Sequence, residues 1–105
     1  MRIALLALGV ALITAAAAAF AQGGALIDGG KKAFVSEGCY GCHTVGKFGT
    51  PIGPDLSYVG VRYPEPYLVR WLRDPASQRP SAHMPKLELS EEQVKALAAY
   101  LSSLR

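Results

Sequence analysis

The pentad Cys39-Tyr40-Gly41-Cys42-His43 constrains this chain more than any other feature. C-x-x-C followed directly by His is the attachment pattern for a covalently held haem. The spacing has a physical reason. On a helical turn, residues three and four apart share a face, so Cys39, Cys42 and His43 all point at one flat ligand. The two thiols add to the haem vinyl groups as thioethers, and the imidazole sits against the iron. The chain has only two Cys and two His, so the pentad takes most of what could hold a metal.

Other uses of the two thiols fare worse. A thioredoxin-like dithiol follows a strand within a βαβ pattern, whereas the segment from Gly30 to Gly38 reads as helix. A disulfide between Cys39 and Cys42 closes a very short loop and gains little. A zinc site needs about four ligands. Only Cys39, Cys42, His43 and His83 are on offer, with the carboxylates scattered.

The N-terminal stretch reads as an export signal. Arg2 gives it a positive start, Ile3 to Phe20 carries no charge, and Ala19-Phe20-Ala21 is an A-x-A cleavage site. Cleavage there makes residues 1–21 a signal peptide and leaves a domain of residues 22–105 starting at Gln22. The competing reading is an uncleaved anchor, since the apolar run approaches the lower limit for spanning a bilayer. Either way the folded part is expected outside the cytoplasm, periplasmic or otherwise exported. The expected domain is small enough that a core of side chains alone is thin, and a large apolar disc such as haem fills that deficit. Eleven Lys and Arg, one of them Arg2, stand against eight Asp and Glu. This modest positive balance is spread along the chain and gives no case for nucleic acid binding.

Three helical stretches emerge, separated by loops. The first runs from about Leu26 to Gly38, with Leu26, Gly30, Ala33, Phe34 and Gly38 on one face. Gly30 there suits a close helix crossing and Gly38 a turn into the pentad. The segment Lys47 to Leu56 is crowded with Gly and Pro and reads as turns. A loop of that length in a small domain needs a job, and wrapping one face of a cofactor is such a job. The middle helix begins at Pro64-Glu65-Pro66 and stops at Asp74-Pro75, with Tyr67, Leu68, Trp71 and Leu72 as its apolar stripe. Trp71 is expected in the core, its indole N–H directed to a partner such as a haem propionate. The last helix has Ser90 as N-cap and Gln93 completing a capping box. Its stripe is Val94, Leu97, Ala98, Leu101 and Leu104, for which the Gly30/Phe34 face is the expected partner.

His43 takes one axial position on the iron. Beyond residue 21 the chain has one Met, Met84, and one further His, His83. Met84 lies in the loop between Pro75 and Ser90, next to a polar His and a Pro, a poor place for a gap-filling methionine. The residues favour Met84 over His83 as second axial ligand, and either over an open position.

The features fall in a familiar order: Gly38-Cys39-x-x-Cys42-His43-Thr44, Gly53-Pro54-Asp55-Leu56, Trp71-Leu72-Arg73-Asp74-Pro75, Met84-Pro85, then Leu97-Ala98-Ala99-Tyr100-Leu101. In this the chain resembles the class I monohaem bacterial cytochromes c, across the whole region after the signal. The resemblance implies an all-α fold, three main helices and long loops packed around one covalent haem c. It also implies that the first and last helices cross through Gly30 and Phe34 against Leu97 and Tyr100. Pro54 is implied to offer its carbonyl to the axial imidazole. Propionate partners among Trp71, Tyr63, Arg62 and Arg79 carry over weakly, because the stretch from Gly53 to Met84 is variable in the family.

The function expected is one-electron transfer, not catalysis. With His43 and Met84 both on the iron, substrate has no open position, and the His/Met pair raises the potential. Partners would be larger redox proteins docking transiently at the haem edge. A second reading is an obligate cytochrome subunit of an oxidoreductase complex, held to the membrane if residues 3–20 are retained. A third is a sensor or peroxidase-type haem protein with a displaceable sixth ligand.

Overall fold

The computed structural model describes residues 22–105; the signal and anchor readings fall on residues that lie outside the described ones. Helix α1 covers residues 22–36 of the described chain. Gly30, Ala33 and Phe34 are buried along its inward line. Leu26, expected there, is 45% exposed. Ile27 packs against the core in its place, because Ile27, Gly30 and Phe34 lie at i, i+3 and i+7 and centre the apolar arc one residue later than expected. Beyond α1, Gly38 takes φ 76° and ψ 23°, a left-handed conformation that costs glycine nothing. That single residue turns the chain into the short 3₁₀ turn Cys39–Gly41.

A two-stranded ribbon follows: β1 (Thr44–Val45) pairs antiparallel with β2 (Phe48–Gly49), Thr44 opposite Gly49 and Val45 opposite Phe48. It occupies part of the stretch read as turns only, since strands of two residues show no alternation. Then come α2 (Val59–Arg62), α3 (Glu65–Arg73), α4 (Pro75–Gln78) and α5 (Glu91–Ser102). Apart from the ribbon, the regular structure of the described residues is helical, as expected.

Proline sets the bounds of α3. Pro64 holds the N-cap position and Pro66 sits in the first turn. Asp74 is the C-cap, and Pro75 cannot donate to a continued helix but opens α4. At the start of α5, Ser90 Oγ accepts from Gln93 N at 3.1 Å, and Gln93 Oε1 accepts from Ser90 N at 2.9 Å. The expected capping box is therefore complete. Arg73 and Glu91 join the end of α3 to the start of α5 through a 2.7 Å ion pair.

The core is a cluster of Ala33, Phe34, Val59, Leu68, Leu72, Val94, Leu97, Ala98, Tyr100 and Leu101. It lies where α1 and α3 pack on α5. Phe34 is its largest fully buried side chain and meets the rings of Tyr40 and Tyr100 edge-on, centroids 4.7 and 5.6 Å away. Burying such a ring contributes roughly 1.5–3 kcal/mol. Gly30 sits directly on α5. A Cβ built there would collide with the Ala96 carbonyl oxygen and lie 2.6 Å from Tyr100 Cβ. The close crossing expected at Gly30 is what the fold contains. Leu104 lies past the end of α5, where its carbonyl accepts from Gly60 N at 2.9 Å and seats α2 against the C-terminus.

Candidate haem site

The pentad closes on itself. The Cys39 carbonyl accepts from Cys42 N at 3.2 Å and His43 N at 3.0 Å, so residues 39, 42 and 43 belong to one tight turn. Both cysteines are free thiols, Cys39 half-buried and Cys42 exposed. Burial pushes the Cys39 thiol above its ordinary pKa, and the Glu37 carboxylate adds to the effect. A dithiol that works as a nucleophile or metal thiolate needs the opposite shift. Among the described residues no three His, Cys, Asp or Glu side chains come together to hold an ion.

The loop after the pentad folds back over His43. His43 Nδ1 lies 2.8 Å from the Pro54 carbonyl oxygen. A carbonyl can only accept, so Nδ1 carries the proton and Nε2 keeps its lone pair for a metal. This is the contact that orients a ligating imidazole and raises its basicity. Gly53 N donates to the Cys42 carbonyl. A Cβ on Gly53 would stand 2.8 Å from His43 Cε1, so only glycine lets the loop lie on the ring.

A cluster of Thr44, Asp55 and Ser57, to which Arg62 also binds, holds Pro54 in place. Asp55 Oδ1 accepts from Thr44 Oγ1 and Ser57 Oγ, each at 2.8 Å. Leu56 N donates to the Thr44 carbonyl at 2.8 Å, and Gly46 N donates to Ser57 Oγ at 2.8 Å. Arg62 Nη2 donates to the Asp55 carbonyl at 2.8 Å. These bonds tie residues 55–57 to the residues directly after His43. The Thr44 and Ser57 hydroxyls chiefly hold the Asp55 carboxyl below its usual pKa; desolvation opposes them, and the Ser57 amide and Arg62 add lesser lowering effects. The local signal was present, since Asp-x-Ser is a turn that the Asp side chain closes on itself.

Met84 is half-buried and His83 exposed. The indole N–H of Trp71 donates to Met84 Sδ at 3.2 Å. Trp71, expected in the core, is only partly buried and lies outside the core cluster, with its N–H directed to the Met84 sulfur. An open depression at Asp55, Tyr58, Val61 and Arg62 holds neither the imidazole nor the sulfur and is no rival site. The donor set suits haem: two unbridged thiols and an imidazole of fixed tautomer on one turn, with a thioether in a separate loop.

The family model for cytochrome c matches residues 27–105. The chain belongs to the cytochrome c family. Membership implies a covalently bound haem c and makes this a haem electron-transfer protein. Among curated proteins, this cytochrome c is 39% identical over 89 residues to cytochrome c oxidase subunit 2 of Alkalihalophilus pseudofirmus, covering 76% of the chain and 26% of that protein. It is 34% identical over 93 residues to cytochrome c oxidase subunit 2 of Bacillus sp. strain PS3, covering 70% of the chain and 25% of that protein. The chain thus spans about a quarter of the length of the curated relatives it matches. No solved structure matches it significantly. Among the described residues no helix is long and apolar enough to cross a membrane.

Proposed function

We propose that this cytochrome c carries one haem, bound through Cys39 and Cys42 with His43 and Met84 as axial ligands, and passes single electrons between larger redox complexes. When bound, the haem supplies an Fe(III)/Fe(II) couple. The chain's own residues do the rest. The Pro54 carbonyl fixes the His43 proton on Nδ1, which leaves Nε2 as a ligand of set direction. Met84 offers its sulfur from the loop between α4 and α5, and a thioether favours the ferrous state. With both axial positions taken by protein, electrons leave and arrive without a bond to substrate. The observation that carries this reading is the 2.8 Å bond from His43 to Pro54, because it is the feature a ligating imidazole needs and a bystander does not.

Residues 1–21 act in this reading as a cleaved signal, with residues 22–105 as the exported domain, and the mature N-terminus should be Gln22. A second reading, a fixed subunit of an oxidase complex, is favoured by the two relatives named cytochrome c oxidase subunit 2. The two readings part on purification, where a carrier leaves native membranes at moderate salt and a subunit stays with the oxidase. Attachment is tested by acid–acetone extraction of the native protein. Colour is expected to remain with the polypeptide, and colour moving into the organic layer would refute the thioether links.

A further inference from the structure

Among the large apolar side chains exposed on the described residues, Phe48 and Ile52 are the most open to solvent, at 73% and 75%. A single exposed apolar residue is ordinary and points to nothing by itself. These two stand four residues apart on one short piece of chain, β2 and the turn after it. That piece is firmly held. β2 is paired to β1, and Thr50 N donates to the His43 carbonyl at 3.3 Å. Ile52 N donates to the Thr50 carbonyl at 3.0 Å. β2 also presses on the pentad: a Cβ on Gly49 would collide with the His43 carbonyl oxygen and lie 2.9 Å from Tyr40 Cδ1. Side chains held out on such a base lose little freedom when a second surface covers them.

Their place is set by the imidazole. The turn from residue 50 to 54 reaches His43 at its Nδ1, which meets the Pro54 carbonyl, and Nε2 is the atom left for iron. The backbone carrying Phe48 and Ile52 is thus anchored on the side of His43 away from the iron, where a haem on Nε2 does not cover it. Beside it Cys42 is exposed, its carbonyl accepting from Gly53 N. The surroundings are poor in charge. The chain as a whole is 18% charged, which over the seventeen residues from Gly38 to Pro54 would give about three charged side chains. Lys47 is the only Lys, Arg, Asp or Glu there.

We propose that Phe48 and Ile52 form a docking face for a redox protein whose own contact surface is apolar and nearly uncharged, seated so that the electron crosses at Cys42. The inference rests on the reading of this chain as an electron carrier with haem on Cys42. The character of the occupant follows from the charge. A partner with a charged contact surface would bury those charges against Phe48 and Ile52 with little to pair them, and that cost exceeds the gain from contact. An apolar surface meets no such cost, and an aromatic ring is the residue type that anchors protein contacts. In the encounter one electron passes between the partner's centre and the iron, one losing what the other gains, and no bond forms or breaks. Long-range charge does not steer this association, so it depends little on salt.

The test follows oxidation of the reduced holoprotein by native membranes, at limiting protein concentration, from about 20 to about 500 mM KCl. The second-order rate is expected to change less than about 2-fold, where a charge-steered encounter loses about 10-fold or more. Phe48→Ser and Ile52→Ser should each lower the rate by about 5- to 30-fold with haem spectrum and potential unchanged. Phe48→Leu, which keeps an apolar side chain, should retain most of the rate, and Leu26→Ser on α1 should retain all of it. No oxidation by the membranes would overturn the carrier reading and this inference together. Oxidation that falls steeply with salt, or that runs equally fast in both serine variants, would overturn this inference alone.

Discussion

Adjacent glycines in α1 have opposite standing. At Gly30 a Cβ would meet the Ala96 backbone and Tyr100 Cβ, the latter at 2.6 Å, and backbone cannot give way. At Gly29 the nearest atom to such a Cβ is Ala96 Cβ at 3.7 Å, an ordinary contact. Gly30→Ala is therefore expected to destabilise the holoprotein by about 3 kcal/mol, the upper part of the overpacking range. Gly29→Ala should be neutral or slightly stabilising, because alanine is the better helix former. Urea midpoints of the two variants check this. Asp55 makes a second case at the same scale. Its pKa in the fold lies below the unfolded value of about 3.9. Its contribution is therefore fully present above that unfolded value and is lost as pH falls through the folded one. Asp55→Asn should melt below the natural protein at pH 7, and the difference should shrink as both are taken to about pH 2. A difference that stays constant with pH would show that the charge is not what holds the loop.

At the scale of elements, α5 organises the molecule, and its start is the best specified boundary. Ser90 and Gln93 exchange two hydrogen bonds across the first turn, and Gln93 Nε2 also donates to Glu37 at 2.7 Å, beside the turn that leads into the pentad. Ser90→Ala is expected to cost about 1 kcal/mol, read as a lowered melting temperature with the haem spectrum unchanged. The cap, the apolar stripe of α5 and the prolines around α3 were legible in the sequence because each is a local rule with a fixed offset. The short helices α2 and α4 were not, since a four-residue helix carries barely one turn of periodicity and forms only where tertiary contacts hold it. The ribbon of β1 and β2 was hidden for the same reason. Leu26 and Ile27 show the remaining limit, because neighbours at the edge of an apolar arc differ only by a rotation of the helix that its partner decides.

For the whole molecule, the fold does two things at once. It clamps α1 and α3 on α5, and it leaves the loops on either side of α3 to hold the site. Cys39, Cys42 and His43 stand out in the sequence as a pentad, and the proposal of Met84 rests on its being the only Met besides Met1. What linear reading did not reach is what supports them. Thr44, Asp55 and Ser57 fix Pro54 over the imidazole, and Trp71 reaches across thirteen residues to the sulfur. Both depend on how loops fold back, which local spacing does not encode. The central claim is that Met84 closes the iron's second axial position and so restricts the protein to electron transfer. Its direct test compares Met84→Ala with His83→Ala by ferric absorption and by carbon monoxide binding to the reduced forms at neutral pH. The account predicts that Met84→Ala loses the sulfur-to-iron charge-transfer band and binds carbon monoxide, while the natural protein and His83→Ala, altered only at an exposed side chain, keep the band and do not bind it. Loss of the axial ligand in His83→Ala with the band retained in Met84→Ala, or carbon monoxide binding by the natural protein, would contradict it.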